Sequence, residues 1–334
     1  MVHSVIAFAF ADESILSRLV ETPAAMEEDS TANGETGSSS DSQADRLPGW
    51  GFLGDPTAKP VFGPKLNDAG EPVAEWPNIS EPGPDMGDYP NSAFTLPKGR
   101  SYLEFSPFSY AAADSQNPSG YATPILLRYG LTDDVEIRLF GNGLTAVGGP
   151  SASTGFSPLV IDTKIHLWND RREWLIPAVS LEAYVQTDWG SSQFDGGIQP
   201  SVNLNFDLPI TKKTNLEWSM GFTGSQQAIN INTKSVFIPR YNYLVPGIHR
   251  QIDLAFEEFG LQWAIEHQVT ERFQVFLHGF HNRAAFPGQG QGEMVGTGLF
   301  WRISPRLMGF GSVNTGLTDN VPPLSTQIGF AMAL

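Results

Sequence analysis

Alternation of apolar and polar residues with a period of two is the feature that most constrains how this chain can fold. In residues 198–208 every even position is apolar or proline and every odd position is polar. Residues 135–139 and 159–167 show a similar pattern. Because successive side chains of a β-strand point to opposite faces, each run predicts a strand with one apolar and one polar face.

Twelve such runs follow residue 99, and the connections between them alternate in length. The short connections include residues 132–133 and 304–305, whereas the connection 226–255 is long and rich in polar residues. An even number of strands with short turns at one end and long loops at the other is typical of outer-membrane β-barrels. The sequence therefore predicts an all-β fold, an antiparallel up-and-down transmembrane β-barrel over residues 96–334. The twelve predicted strands are residues 100–113, 119–131, 134–144, 156–168, 174–187, 196–208, 214–225, 256–268, 273–283, 292–303, 306–316 and 323–334.

Aromatic residues and the C-terminus favour the membrane barrel over a soluble β-sandwich, whose strands also alternate. Trp168, Phe273 and Trp301 lie near predicted strand ends, where aromatic girdles meet the membrane interfaces. The last strand has apolar residues at positions 330, 332 and 334, which resembles the C-terminal signal of bacterial barrels. We therefore expect outer-membrane lipid and the barrel-assembly machinery as partners, in a Gram-negative-type bacterium.

Proline is the evidence that fits the predicted strands least well. Each proline inside a strand removes one donor from the hydrogen-bond ladder. Bulges or strand ends could accommodate most of them, but Pro107 lies well inside the first predicted strand. The five prolines concerned are Pro107, Pro124, Pro158, Pro177 and Pro200.

The first 95 residues differ in composition from the remainder of the chain. Residues 12–95 contain 16 acidic and 4 basic residues, which is three quarters of the net charge of -16. A stretch so rich in acidic residues, Ser and Pro buries little apolar surface, so we predict a mostly disordered linker there. Residues 1–11 are apolar and end in the small-x-small pattern of a signal-peptidase site. They are interpreted either as a truncated signal peptide or as a chance apolar end.

Composition and motifs exclude several classes of function. The chain has no cysteine, so thiolate metal sites and cysteine nucleophiles are absent. The strongly negative charge disfavours nucleic acid as a partner. The sequence shows no phosphate-binding glycine loop and no hydrolase motif. His278 and His281 are three residues apart, so they point to opposite faces of a strand and cannot share an ion. We expect no cofactor, no metal and no enzymatic activity.

One strand-turn-strand segment resembles a known family. Residues 126–139 read LLRYGLTDDVEIRL, and residues 162–164, the start at Pro177 and the ending from 303 to 330 are similar to the same family. It is the outer-membrane barrel family named for the MetA pathway of phenol degradation. The resemblance covers residues 96–334 and implies a barrel with a transport role, but it does not supply the solute.

The polar face of the predicted barrel supplies the candidate residues for selectivity in the lumen. Mixed charges there can select solutes, or they can simply satisfy one another as structural pairs across strands. Arg128 and Arg138, joined by a tight turn, are expected near the periplasmic mouth, where they could screen solutes or anchor an acidic linker or plug. The candidates are Arg128, Glu136, Arg138, Asp162, Lys164, His166, Glu182, Asp207, Glu217, Glu266 and Arg302.

Three hypotheses of function follow from the sequence. The first is passive or facilitated passage of a small, aromatic or apolar solute through an outer-membrane barrel. Here the loop 226–255, with Phe237, Tyr241 and Tyr243, would fold over the outer mouth. The second is a barrel that anchors the surface without transport. The third is a soluble extracellular β-sandwich that binds carbohydrate.

Overall fold

The structure, a computed structural model, describes residues 78–334 except residues 116, 151, 233–235, 239–242, 246–248 and 284–289. In that part of the chain no helix is long and apolar enough to cross a membrane. The described residues form the following β-strands: β1 Ser101–Ala111, β2 Gly120–Ala122, β3 Ile125–Gly130, β4 Val135–Gly141, β5 Leu144–Val147, β6 Ser153–Phe156, β7 Val160–Trp168, β8 Ala178–Gln186, β9 Gln199–Pro209, β10 Thr214–Asn232, β11 Val236–Ile238, β12 Tyr243–Val245, β13 His249–Gln268, β14 Phe273–Asn282, β15 Gly292–Ser304, β16 Leu307–Gly316 and β17 Leu324–Ala333.

The strands form a closed antiparallel barrel, because the last strand, β17, pairs with the first, β1. Three barrel strands are interrupted, so that β2 and β3, β4 and β5, and β6 and β7 are each two halves of one strand. The remaining barrel strands are β1, β8, β9, β10 and β13 to β17. The described residues therefore form a barrel of twelve strands, which confirms the predicted fold class. The hypothesis of a soluble β-sandwich is wrong, because the sheet closes on itself.

Most of the prolines mark the irregularities of the barrel wall. Pro124 separates β2 from β3, and Pro158 separates β6 from β7. Pro107 lies inside β1 at a register shift in its pairing with β17. Pro177 precedes β8, and Pro200 is the second residue of β9. Because proline cannot donate to the ladder, breaks, bulges and strand ends are where a sheet accommodates it.

The two faces of the wall differ in exposure as the period of two predicts. Leu127, Leu139 and Leu204 point outward and are 41%, 38% and 37% exposed. The polar candidates on alternate positions point inward; eight of the eleven are buried, and His166, Glu266 and Arg302 are half-buried. The interior is not wholly polar, however, since Leu126 and Phe140 also point inward and join an apolar cluster there. An outward belt of apolar side chains is the surface that lipid requires.

The region predicted as a long outer loop is largely strand. β10 and β13 continue past the predicted ends and pair from Thr214 with His267 up to Asn232 with His249. Between them β11 and β12 pair as a separate two-stranded sheet, in which Ile238 is opposite Tyr243. Residues 226–255 are therefore largely strand in place of the predicted loop, whereas the described residues form a barrel with the twelve predicted strands and not the fourteen that a hairpin within 226–255 could give.

The boundary predicted at residue 95 needs correction as well. Residues 78–95 belong to the predicted disordered linker, but residues 78–98 are mostly buried or half-buried inside the barrel, with Glu81 and Lys98 exposed. Ile79, Met86 and Leu96 of this segment are 0% exposed and belong to the interior apolar cluster. We call residues 78–98 the plug. The predicted signal peptide and the rest of the predicted linker, residues 1–77, lie outside the described residues.

Candidate functional site

The plug enters and leaves the barrel at the end where the turns are short. Near its start, the Ile79 amide donates to the Pro305 carbonyl at 2.8 Å. Near its end, the Thr95 hydroxyl donates to the Asp133 carbonyl at 2.7 Å, and the Lys98 amide donates to the Asp133 carboxylate at 3.0 Å. Pro305 and Asp133 both lie in short turns, so the plug fills the interior from that end.

Asp85 of the plug lies among three basic side chains of the wall. Its Oδ1 is 3.3 Å from Arg128 Nη1, and its Oδ2 is 3.2 Å from Arg138 Nη2. The Lys164 Nζ lies 2.6 Å from the same Oδ2. Arg128 and Arg138 face each other directly across β3 and β4. Like charges in that position repel, and the carboxylate of Asp85 bridges them.

Four acidic residues of the wall complete the charge pairing around these cations. Glu136 Oε1 is 2.7 Å from Arg128 Nε, and Glu104 Oε1 is 3.2 Å from Arg128 Nη1. Arg138 contacts both Asp162 and Glu182. All eight side chains are at most 1% exposed. We call this set the paired cluster, and its members are Asp85, Glu104, Arg128, Glu136, Arg138, Asp162, Lys164 and Glu182.

The same wall carboxylates also bind the plug's own polar groups. Glu104 accepts a hydrogen bond from the Met86 amide at 2.8 Å, and Glu136 accepts one from the Leu96 amide at 2.7 Å. Glu182 accepts from the Asn91 side chain. A segment without helix or strand leaves its amides unpaired, so these carboxylates supply acceptors that the plug lacks internally.

The charge balance shifts the pKa of Asp85, which lies on the plug and outside the spanning strands. Burial alone would raise this pKa, but the charges of Arg128, Lys164 and Arg138 outweigh burial and hold it below the ordinary value of 3.8. Asp85 is therefore ionised at neutral pH and pairs with all three cations.

A second group of carboxylates lies further round the wall and is arranged differently. Asp88 of the plug, Glu217 of β10 and Glu266 of β13 each have a carboxylate oxygen within 4.8 Å of the others. Asp207 of β9 is the cross-strand neighbour of Glu217. We call Asp88, Asp207, Glu217 and Glu266 the acidic cluster. Among the described residues, no basic side chain forms an ion pair with any of the four.

Asp88 has the opposite pKa shift from Asp85. Burial raises the pKa of Asp88, and the nearby carboxylates of Glu266, Asp85 and Asp207 raise it further. The side chain is buried, and its Oδ2 has no hydrogen-bond partner among the described residues. An ionised carboxylate in this place lacks any compensating positive charge from that part of the chain.

A solvent-open cavity with a volume of about 70 Å³ lies above the plug, towards the ends of the strands that carry the longer connections. Tyr89 of the plug forms part of its lining, together with Phe280 and Met294 of the wall. The Tyr89 ring stacks on His278 with 4.2 Å between ring centroids, and it meets the Phe280 ring edge-on at 5.1 Å. Asn314 and Gln327 add amide groups to the lining. The cavity thus combines aromatic surface with a few polar groups, as small-molecule sites do.

The structure brings most of the predicted residues into these groups. Six candidates belong to the paired cluster and three to the acidic cluster. His166 contacts the plug at the Ala93 carbonyl, 2.9 Å from its Nδ1. Arg302 is half-buried and forms no ion pair among the described residues. For the predicted outer loop, Phe237 and Tyr243 lie in β11 and β12, whereas Tyr241 lies outside the described residues.

Sequence reasoning missed the plug residues Asp85, Asp88 and Tyr89, and also Glu104. The signal was present in the charges: three cations were predicted on neighbouring inward faces, and an acidic segment preceded the barrel. Glu104 was missed because the first strand was predicted less securely than the others, owing to Pro107.

A closed twelve-stranded barrel with an outward apolar belt and a charged interior defines the class of porin-like outer-membrane barrels. Within that class the chain belongs to the family described as "Putative MetA-pathway of phenol degradation", which matches residues 85–334. The match begins at Asp85, so it includes most of the plug. A search of curated protein sequences found no match.

Solved structures of outer-membrane barrels are similar to this chain at low identity. The NanC porin is 8% identical, with a TM-score of 0.44 over 71% of this chain and 100% of the other. The KdgM porin in complex with oligogalacturonate is 7% identical, with a TM-score of 0.43 over 70% and 99%. The toluene transporter TbuX of Ralstonia pickettii is 10% identical, with a TM-score of 0.35 over 71% and 89%.

Proposed function

We propose that this protein passes a small aromatic solute across the outer membrane, with the plug closing the pathway at the short-turn end. Those turns would face the periplasm, and the cavity would open towards the outside. The observation that carries the proposal is the cavity that Tyr89 of the plug helps to line, because the segment that fills the interior would then also contact the solute. Solute binding and pathway opening would then involve one segment.

The chemistry of the cavity supports an aromatic solute. The rings of Tyr89 and Phe280 offer edge and face contacts to another ring, and Asn314 and Gln327 can bind a hydroxyl group. Phenols combine these two features, and the description of the family names phenol degradation. The role of Arg128 and Arg138 in this proposal is to hold the plug in place, and they would meet a solute only after the plug has moved.

Binding and flux test the proposal separately. Phenol should bind the detergent-purified barrel more strongly than cyclohexanol in ligand-observed NMR. Cyclohexanol is a ring alcohol of similar size that has no aromatic π electrons. Tyr89→Ala should weaken phenol binding by roughly tenfold, since aromatic pairs contribute ~0.5–1.5 kcal/mol beyond the buried area. The outward variant Tyr129→Ala is the control, because Tyr129 is 44% exposed on the outer face.

Flux is measured in proteoliposomes with 4-hydroxyphenyl glucoside, a neutral phenol too polar to cross lipid. We expect slow, saturable entry in the wild type and fast entry after deletion of residues 78–94. No flux in either protein, with a folded barrel, would contradict transport.

A barrel that anchors the surface without transport is the second candidate. It is favoured by the filled interior, in which all eight side chains of the paired cluster are buried. This function requires that the plug never leaves, so the absence of flux described above would support it.

A further inference from the structure

The acidic cluster is unusual because four carboxylates converge from four separate elements without a cation. Asp207 and Glu217 are 2% and 8% exposed, and Asp88 is 3% exposed. Groups so deeply buried are normally paired with a cation, are protonated or bind a metal. In the paired cluster the wall supplies three cations within 3.3 Å of Asp85. Here the described wall supplies none, although the plug again contributes an aspartate.

An independent observation comes from Asp88 itself. Its Oδ2 is buried and accepts no hydrogen bond from any described group. The neighbouring carboxylates are oriented by other residues, since Asn215 Nδ2 donates to Asp207 Oδ1 at 2.9 Å and to Glu217 Oε1 at 2.8 Å. A plug carboxylate with a free oxygen therefore lies against wall carboxylates that are already fixed in place.

We propose that Asp88, Glu217 and Glu266 bind a hard divalent cation, Ca²⁺ in the first instance, which connects the plug to β10 and β13. The geometry fits, because carboxylate oxygens up to 4.8 Å apart can share one ion. That separation is twice the Ca–O distance of ~2.4 Å.

The donor set decides which ion the site takes. All donors are carboxylate oxygens, which suit Ca²⁺ and Mg²⁺ rather than the softer metals that prefer imidazole or thiolate. Ca²⁺ accepts irregular coordination by six to eight oxygens, whereas Mg²⁺ demands a tight octahedron with oxygens at ~2.0–2.1 Å. Asp207 and Asn215 would then act in the outer shell, since they position Glu217.

This site was not expected from the sequence, which led us to predict no metal. The prediction considered a histidine pair on one strand. The acidic residues that converge here are 88, 207, 217 and 266, and no spacing motif connects a plug residue to three strands.

Calorimetry on the purified, folded full-length chain tests the proposal. After treatment with chelator and its removal, CaCl₂ is titrated into the wild type and into Asp88→Asn, Glu217→Gln and Glu266→Gln. We expect about one Ca²⁺ per chain in the wild type, with a Kd of ~1 mM or below. Each variant should bind at least about tenfold more weakly, since even outer-shell changes cost 10–100-fold in metal sites. Titration of MgCl₂ should give weaker binding.

Glu258→Gln is the matched control. Glu258 lines the cavity on the same strand as Glu266, eight residues or about 26 Å along it. The control removes the same charge from the same face and should leave Ca²⁺ binding unchanged. Folding of every variant is checked by heat-modifiable gel mobility. If Asp88→Asn does not fold, the two glutamate variants and the wild type still test whether Ca²⁺ binds at the acidic cluster.

Two outcomes would overturn the proposal. One is the absence of Ca²⁺ binding by the folded wild type up to about 10 mM, which is beyond the weakest protein sites of this kind. The carboxylates would then hold protons in place of a metal. The other is binding that is unchanged in all three ligand variants, because the ion would then occupy a different place. Neither outcome depends on solute flux, so the failure of this proposal and of the proposed transport can be distinguished.

Discussion

Two aspartates of the plug, three positions apart, meet opposite electrostatic surroundings in the same barrel. Asp85 contacts Arg128, Arg138 and Lys164, and its pKa lies below the ordinary value. Asp88 meets only carboxylates among its described charged neighbours, and its pKa lies well above that value. The comparison shows that the charges of the barrel wall complement the plug at Asp85 but not at Asp88. One side of the plug is fixed by ion pairs, and the other carries unbalanced negative charge.

The difference follows from the strands that each aspartate faces. β4 and β7 carry both signs of charge on their inward positions and β3 carries Arg128, so together they bind an acid from the plug without excess charge. β9, β10 and β13 present Asp207, Glu217 and Glu266 at the same end of the barrel, with amides such as Asn215 between them. Polar amides orient these carboxylates but do not neutralise them.

The largest effect is expected from Asp85→Asn. Removal of one partner of a buried ion pair leaves charges uncompensated and costs ~3–5 kcal/mol, and here three cations lose a partner. Docking of the plug should weaken accordingly. In the folded barrel, thermolysin should cleave the plug at least about 100-fold faster than in the wild type, because cleavage follows the population of the open state. Mass spectrometry identifies the cut sites.

The control for that experiment is Arg302→Gln, which changes a half-buried charge outside both clusters and should leave the cleavage rate unaltered. If Asp85→Asn retains wild-type protection, ion pairs do not hold the plug, and apolar packing around Met86 and Leu96 must do so.

Acid should release the plug through the same residue. The docked plug binds fewer protons at Asp85 than the undocked one, so the contribution to docking is complete above pH 3.8 and is lost as the pH falls through the lowered pKa. Arg128, Arg138 and Lys164 are the cations that face Asp85, and Glu104 and Asp88 are acidic neighbours of it. Single-channel conductance should stay low from pH 7 to about pH 4 and rise below that. A conductance that rises when the solution is made more alkaline would contradict this assignment.

The sequence predicted the wall far better than it predicted the plug, for a physical reason. In strands such as residues 198–208, alternate side chains face lipid and the polar interior. The alternation within each strand therefore predicts the structure. The plug has no such period, because its backbone amides bind to Glu104 and Glu136 of the wall and its Asn91 side chain binds to Glu182. The plug is stabilised by its contacts with the wall and not by its own sequence pattern. The average composition of residues 12–95 predicts disorder and so does not distinguish the plug from the rest of that range.

The strands β10 and β13 show a second limit of the alternation. Their predicted ends at residues 225 and 256 are the points where apolar alternation weakens, yet the ladder continues to Asn232 and His249. Backbone hydrogen bonds form without an apolar face. Where a strand extends beyond the lipid, its outward side chains need not be apolar, so the sequence shows no apolar alternation there. Apolar alternation therefore marks the membrane-facing part of a strand rather than the whole strand.

A smaller effect of opposite sign is expected from Asp88→Asn when chelator is present. The oxygens of Asp88, Glu217 and Glu266 lie within 4.8 Å of one another, and each ionised pair at that distance would cost ~3.5 kcal/mol at an effective dielectric of about 20. Protons bound by the cluster lower this repulsion, so removal of the Asp88 carboxylate should strengthen docking by ~1–2 kcal/mol. Cleavage of the plug by chymotrypsin, a serine protease that needs no catalytic metal and so works in chelator, should slow by about 5–30-fold, since 1.4 kcal/mol is a factor of ten. The isosteric control Glu258→Gln, near the cavity, should not change the rate. Faster cleavage of Asp88→Asn in chelator would mean that this carboxylate has a cationic partner after all.

The smallest effect is expected where the plug leaves the barrel, at His166. Its Nδ1 lies 2.9 Å from the Ala93 carbonyl, and its ring stacks on Phe94 with 5.5 Å between centroids. Because His166 is only half-buried, His166→Ala should weaken docking by about 1 kcal/mol, the usual contribution of one hydrogen bond. The cleavage rate should then rise about fivefold, far less than for Asp85→Asn. His267→Ala is the matched control, because His267 is exposed and bonds to Thr214 rather than to the plug. If the effect of His166→Ala equals that of Asp85→Asn, the exit of the plug contributes as much to docking as the paired cluster. The contrast between the two aspartates would then no longer explain how the plug is held.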